Sequence, residues 1–371
     1  MRVALIVPGG VDRSLTERVI PALLWLVEAL GRQCTVVVFA LGHGAAPDEW
    51  EIPGAHVVDL GALMPSRVPG VAFGRRVLAL RRMLRLHGPF DVVHAFWATP
   101  CGTAIAAAVP GRPLIVSLAG GELAGIQEIG YGCDLVPRER AKIRWTLSRA
   151  AAITAASAPL VLEGARRGFE THLVPLGVEE AGFLLPSPRE PDGPFRLLHV
   201  ADLNRVKDAE TLLRAFRRLR ERGVAALLDV AGEDTLHGAV QAEASRLGLA
   251  SAVTFHGRLP TARLRPFLRS ADLLLLSSRH EAGPVALVEA AACAVPTVGT
   301  AVGHVAEGHP VRSLAVPVGD DAALADAVEA LLRDPERRRR MGAAALAWAR
   351  ANDSAATARR FEQLYRDVTG R

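Results

Sequence analysis

Aromatic residues make up only 5% of this 371-residue chain, although half of its residues are apolar. Alanine and arginine are abundant instead. Cysteine is scarce: Cys34, Cys101, Cys133 and Cys293 are scattered, with no Cys-x-x-Cys pair. That pattern predicts reduced, buried thiols and a cytoplasmic setting. No apolar run approaches the roughly 18 residues that span a bilayer, so no membrane-crossing helix is expected. The opening Met1-Arg2-Val3-Ala4-Leu5-Ile6-Val7 is too short for the core of a signal peptide and leads into Gly9-Gly10, so it reads as a first strand. There is no Gly-Lys-Ser or Gly-Lys-Thr phosphate loop, and no Asp-x-Asp follows a strand to hold a metal ion. Charge of either sign is in weak excess. The 44 basic residues against 39 acidic ones leave +5, too little to argue for nucleic acid but compatible with phosphorylated ligands or an anionic surface.

What the chain has is length and rhythm. Its 371 residues suffice for two domains with ordinary cores. Short apolar runs alternate with longer amphipathic stretches, the pattern of repeated βα units and parallel sheets. Strands are expected at 2–7, 35–41, 56–60, 91–95, 114–118, 152–156 and 172–174, and then at 196–200, 226–231, 253–256, 273–276 and 297–299. Between the two sets, Pro186-Ser187-Pro188-Arg189-Glu190-Pro191-Asp192-Gly193-Pro194 carries four prolines and can form the interior of neither helix nor strand. The expected division is a first domain over 1–186, a linker over 187–194 and a second domain over 195–353. Helices at 321–333, 335–351 and 354–368 close the chain.

One stretch concentrates the chemistry. Leu273 to Leu276 form a wholly apolar run, suited to a strand buried on both faces. The polar turn Ser277-Ser278-Arg279-His280-Glu281-Ala282-Gly283 follows, and Pro284 opens a helical run of Ala, Val, Leu and Glu. In open parallel sheets ligands bind at the carboxyl ends of the strands, and a helix that starts there favours an anion. Glu281 in the turn and Glu289 about two turns along the helix flank such a cradle. Phosphates in the middle and hydroxyls at both ends would satisfy it, because carboxylates accept strongly from hydroxyls.

Glu281, seven intervening residues and Glu289, set in HEAGPVALVEAAACAVP, resemble the signature of the retaining glycosyltransferases of family 4. The resemblance implies the GT-B fold, two Rossmann-like parallel-sheet domains facing across a cleft, with the last helix (354–371) crossing back to the first domain. It implies that Glu281 contacts hydroxyls of a donor sugar and Glu289 the ribose of its nucleotide. The turn Glu281-Ala282-Gly283-Pro284-Val285 then belongs to the donor site. Ala201-Asp202-Leu203, then Asn204-Arg205-Val206 and Lys207, stand where the family has Gly-Arg-Leu, three residues and Lys. Lys207 is thereby assigned to the diphosphate, where an ammonium stabilises the departing nucleotide. Asp202 replaces the family's Arg, and Arg205 is the proposed substitute. Phe255-His256-Gly257-Arg258 resembles the strand-end glycine beside the nucleotide, with Arg258 near phosphate or base or simply on the surface.

The first domain is less explicit. Gly9-Gly10 ends the first strand ahead of a Leu- and Val-rich helix, and reads either as a phosphate-approaching loop or as an ordinary turn. Gly42-His43-Gly44 is a broken dinucleotide fingerprint, with Pro47 where the third glycine belongs. Where the family commonly has Thr-x-His, this chain has Ser117-Leu118-Ala119, so Ala119 holds the histidine position. Gly120-Gly121-Glu122 follows, and Glu122 is the candidate to orient donor sugar or acceptor hydroxyl, against a capping role. His94, near a strand end, is the second candidate, against a satisfied core histidine. Arg75 to Arg85 is a basic amphipathic stretch, read as the solvated back of a sheet-packing helix or as a patch for peripheral membrane contact.

The expected activity is metal-independent transfer of a hexose, with retention, from a UDP- or GDP-linked sugar to a hydroxyl of a sugar, lipid-linked or small-molecule acceptor. No cofactor and no nucleic acid partner are expected. Two rivals stand beside it: a nucleotide-sugar epimerase of the same fold, which needs acid/base carboxylates in the first domain, and a nucleotide-sugar-binding subunit without catalysis.

Overall fold

The computed structural model describes residues 1–62, 70–184 and 193–370. The proline-rich 187–194 linker falls almost wholly outside them. The chain forms two compact units, Met1–Gly177 with Ser354–Arg371, and Val178–Asp353. The division falls at Gly177, earlier than the expected 186. Among the described residues no helix is long and apolar enough to cross a membrane.

The first unit holds β1 (Arg2–Val7), α1 (Pro21–Gly31), β2 (Thr35–Ala40), β3 (Asp48–Ile52), β4 (Ala55–Asp59), α2 (Val71–His87), β5 (Val92–Phe96), α3 (Thr103–Ala108), β6 (Leu114–Leu118), α4 (Pro137–Leu147), β7 (Ala152–Ala155), α5 (Ala158–Arg166) and β8 (His172–Leu173). Its eight-stranded sheet has the order β3-β4-β2-β1-β5-β6-β7-β8. Every pairing is parallel except the edge hairpin β3–β4. Parallel strands covered on both faces read as continuous apolar runs, and β1 is buried from Val3 to Val7. Helix α1 starts at Pro21, well after Gly10 rather than directly behind it, because residues 8–20 form a loop in which Ile20 N donates to Gly10 O (2.9 Å).

The second unit holds β9 (Phe195–Val200), α6 (Ala209–Glu221), β10 (Ala226–Ala231), α7 (Ala239–Arg246), β11 (Val253–Phe255), α8 (Thr261–Ser270), β12 (Leu273–Leu276), α9 (Val285–Ala292), β13 (Thr297–Thr300), α10 (Gly303–Gly308), β14 (Ser313–Val316), α11 (Asp321–Arg333) and α12 (Pro335–Ala351). Its six strands run in the order β11-β10-β9-β12-β13-β14, and all pairings are parallel. Helix α6 shows how the sequence builds such an element. Asp208 caps it, accepting from Thr211 N at 3.3 Å, and Leu212, Leu213, Phe216 and Leu219 line the buried face. Truncating Phe216 there would cost about 3–5 kcal/mol.

The last helix, α13 (Ser354–Thr369), belongs to the first unit. Its Ala358, Phe361, Leu364 and Tyr365 join the core made by β1, α1 and β2. Strands β3 and β14 were not expected from the sequence.

Candidate active site

In the second sheet β9 is followed outward on one side by β10 and β11, and on the other by β12, β13 and β14. The strand order therefore reverses between β9 and β12, which is where open α/β sheets place their ligands. The two loops leaving the carboxyl ends of those strands are 201–208 and 277–284, and they are tied together. Arg279 N donates to Val206 O (2.8 Å), and Ser277 Oγ donates to Lys207 O (2.8 Å). Arg279 Nε donates to Asp208 Oδ2 (3.1 Å), and Thr300 Oγ1 at the end of β13 donates to Ser278 O (2.5 Å).

At the centre, Lys207 Nζ lies 2.6 Å from Glu281 Oε1, which also accepts from Ser278 Oγ at 2.6 Å. The Glu281 side chain is 8% exposed and that of Lys207 23%. Both described contacts use Oε1, which leaves the lone pairs of Oε2 for a ligand hydroxyl. Asn204 shapes this loop: its Oδ1 accepts from Val206 N and Lys207 N, each at 3.1 Å. Gly303 lets a third element approach. Its φ is +48°, and a Cβ there would sit 3.0 Å from both Cβ and O of Glu281.

Pro284 is the residue before the helix rather than its first, and α9 begins at Val285 with the positive end of its dipole at the Glu281–Pro284 turn. Ala282 is buried, while Gly283 and Val285 are half-buried at its mouth. Glu289 lies on the same helix, 8% exposed, and burial pushes its carboxyl up to about 7 against the attraction of Arg265. The contacts that join Glu281 to Lys207 do not extend to Glu289.

Arg205 is exposed, with no ion-pair partner among the described residues. Asp202, where the family has Arg, braces the sheet instead. Its Oδ1 accepts from Glu233 N (2.9 Å) and so links the ends of β9 and β10. Gly232, beside it, packs so tightly that a Cβ would meet Ala201 O at 1.9 Å. Gly257 has φ +66° and its carbonyl accepts from Gly232 N (2.9 Å). Arg258 is half exposed and 3.4 Å from Glu233 Oε2. His199, which no sequence motif singles out, is wholly buried in β9 within electrostatic reach of Lys207 and Glu281. Burial lowers it to about 4, and its Nδ1 bonds Leu275 O at 2.8 Å while Nε2 has no hydrogen-bond partner. Nothing in a strand reading Phe-Arg-Leu-Leu-His-Val marks that ring as adjacent to a lysine 8 residues on.

For two first-domain residues the geometry bears on which of their two expected roles holds. His94 is wholly buried, third in β5, with Nδ1 2.8 Å from Tyr365 Oη and Nε2 2.7 Å from Ser117 Oγ. Its ring lies against Phe96 and Phe361, and burial holds it neutral, at about 3. It is a core histidine that fastens α13 to the sheet. Glu122 is 3% exposed and turned into its own loop. Oε1 accepts from Ala98 N (3.3 Å) and Ala119 N (3.2 Å), and Oε2 from Gly120 N (2.7 Å). Burial raises its pKa, opposed by those backbone bonds. It acts as a clamp on the loops after β5 and β6.

The first sheet reverses between β1 and β5. Gly9 and Gly10 follow β1 there with φ +157° and +82°, and a Cβ on Gly10 would meet Ile20 at 2.7 Å, so Gly10 serves the turn. The N–H groups of His43 and Gly44 are taken by Asp59, at 3.0 and 2.5 Å. Trp97, directly after β5, is a non-glycine residue at φ +66°, a conformation that costs about 1–3 kcal/mol. Gly120 makes room for its ring: a Cβ there would be 3.0 Å from Trp97 Nε1.

The chain is similar to known proteins in both halves. The glycosyl transferases group 1 family matches residues 183–348, and the glycosyl transferase 4-like domain matches residues 19–177. A D-inositol 3-phosphate glycosyltransferase of Catenulispora acidiphila is 30% identical over 290 residues, 71% of this chain and 69% of its own length. Among solved structures, the sucrose-phosphate synthase of Thermosynechococcus elongatus superposes with a TM-score of 0.83 at 21% identity, covering 100% of this chain and 99% of that one. Anabaena HepE, in complex with UDP-glucose, superposes with a TM-score of 0.74 at 18% identity, covering 98% and 99%. With both halves matched in order and two Rossmann-like sheets of the GT-B type, the chain belongs to the group 1 glycosyl transferases and is a glycosyltransferase enzyme.

Proposed function

We propose that the enzyme transfers a hexose from a nucleoside-diphosphate sugar to an acceptor hydroxyl, with retention of configuration and with the leaving diphosphate met by side-chain cations rather than a metal ion. The observation that carries this reading is the Lys207–Glu281 pair at the strand-order reversal of the second sheet. An ammonium and a carboxylate held side by side match a diphosphate next to a sugar hydroxyl. Lys207, with the exposed Arg205 and the amino end of α9, faces the charge that grows on the departing nucleotide. Glu281 Oε2 accepts from a donor-sugar hydroxyl, and Glu289 accepts from the ribose. HepE, in a solved complex with UDP-glucose, supports a UDP-linked donor.

The epimerase reading loses its best carboxylate, since Glu122 is occupied by three backbone N–H groups. The test is to incubate the pure protein with a panel of UDP- and GDP-sugars and candidate acceptors, following nucleotide release and the anomeric proton signals. Transfer with the donor's anomeric configuration supports the reading. Donor isomerisation, inversion, or nucleotide release that appears only with added divalent metal would each overturn part of it.

A further inference from the structure

A second cluster lies at the opposite end of the first sheet. Glu49 on β3, His56 at the start of β4 and His87 at the end of α2 bring one ligand atom each to within 4.8 Å of one another. His56 Nε2 is 3.0 Å from Glu49 Oε2, and His87 Nε2 is 3.4 Å from Glu49 Oε1. A tetrahedral zinc ion with bonds of about 2.0–2.1 Å separates its ligand atoms by about 3.3 Å. The two histidine nitrogens lie near that distance from the two oxygens of one carboxylate, and one ligand atom from each residue falls within 4.8 Å of the others.

Three further observations point to a cation. Glu51 Oε1 lies 2.7 Å from His56 Nδ1, so Nδ1–H can donate to it and leave the Nε2 lone pair toward the cluster. That carboxylate–histidine relay is the usual support of a zinc ligand. His87 Nε2 is buried yet makes no hydrogen bond. The cluster also sits at the carboxyl end of α2, where the helix dipole favours positive charge, and Arg2 Nη2 fixes that end by donating to His87 O (2.7 Å). The side chains of Glu49, His56 and His87 are 43%, 31% and 16% exposed, which leaves an open side for entry and for water as a further ligand.

We propose that Glu49, His56 and His87 bind a zinc ion that staples the antiparallel edge hairpin β3–β4 to the end of α2. The site lies at the amino ends of the parallel strands, whereas Gly9 and Trp97 follow their carboxyl ends. Its role is structural, outside the transfer reaction. An edge strand held by one neighbour is the weakest part of a sheet, and a metal bond to a helix secures it. The competing account is a plain ion-pair cluster, with a protonated His56 between Glu49 and Glu51.

The test uses the untagged full chain, stripped with a chelator and titrated with zinc chloride against a chromophoric zinc indicator. One zinc per chain is expected. His56→Ala and His87→Ala should each weaken binding at least about 100-fold, and Glu51→Gln about 10- to 100-fold. His172→Ala, an exposed histidine on β8, should change nothing. Zinc should also raise the unfolding temperature of the wild type and not that of His87→Ala, a comparison that holds even if the variants are less stable. A wild type that takes up no zinc, or that binds it no better than the His56→Ala/His87→Ala double variant, would overturn the site in favour of the ion-pair cluster.

Discussion

Lys207 and Glu281 are 74 positions apart in the chain and 2.6 Å apart in space. Each follows a different strand on either side of the point where the second sheet reverses its order. On the proposed reading Lys207→Ala removes one preorganised charge from the leaving diphosphate, and turnover should fall by a factor on the order of a hundred. It also strands a nearly buried carboxylate, so stability should drop by about 1–3 kcal/mol. Glu281→Gln should lower turnover more than donor affinity. Steady-state kinetics beside urea denaturation check both, and a Lys207→Ala enzyme with normal turnover would remove the diphosphate role.

Glu289 makes a pH prediction. Its carboxyl has an ordinary pKa of 4.5 and is raised to about 7 in the fold by burial. Between those values the folded state holds more protons than the unfolded one, so stability falls as pH rises through the window and levels off above 7. The loss is on the order of 3 kcal/mol. Glu289→Gln should abolish that slope. If, as proposed, a ribose hydroxyl donates to this carboxylate, it favours the ionised form, so UDP affinity should gain more from pH 6 to 8 in the wild type than in the variant. Calorimetric titration at several pH values, with denaturation curves, reads both.

Glu122→Gln should behave as a structural change. The amide can no longer accept at all three backbone N–H groups, which costs about 1–3 kcal/mol. Turnover per folded molecule should stay near that of the wild type. A variant of normal stability but tenfold lower turnover would return Glu122 to the reacting centre.

Gly303→Ala tests how Glu281 is held in place. The added methyl meets Glu281 at 3.0 Å, at a backbone φ of +48°. The variant should lose at least about 1 kcal/mol and should lower turnover by displacing Glu281. Unchanged kinetics would show that Glu281 is not held in place from this side.

Much of this was legible in the sequence, for physical reasons that can be named. A leucine quartet buried on both faces and followed by Gly-Pro leaves little choice but strand, turn and helix. The starts expected for α11 and α12 agree with the structure, where Asp320 and Asp334 cap them by accepting from Ala323 N and Arg337 N at 2.9 and 2.8 Å. β3, reading Asp-Glu-Trp-Glu-Ile, was not legible, because an antiparallel edge strand that faces water carries polar residues and shows no apolar run. His94 and Glu122 were identifiable as titratable groups near strand ends, but residue type does not disclose which way a side chain turns. Tyr365 and Ser117 claim the one, and three backbone N–H groups claim the other. The zinc candidate was invisible because its ligands come from three elements whose neighbourhood depends on the order of strands in the sheet.

The placement of α13 in the first unit bears on how the protein is made. The second unit is one continuous stretch and can close as soon as residue 353 has emerged. The first unit cannot, although its sheet is synthesised first. Until Phe361 and Tyr365 arrive, part of its core lies open and His94 Nδ1 lacks its phenol partner. The half that leaves the ribosome first is therefore the half completed last. During that interval its exposed apolar face is the part of the nascent chain most in need of shielding from aggregation.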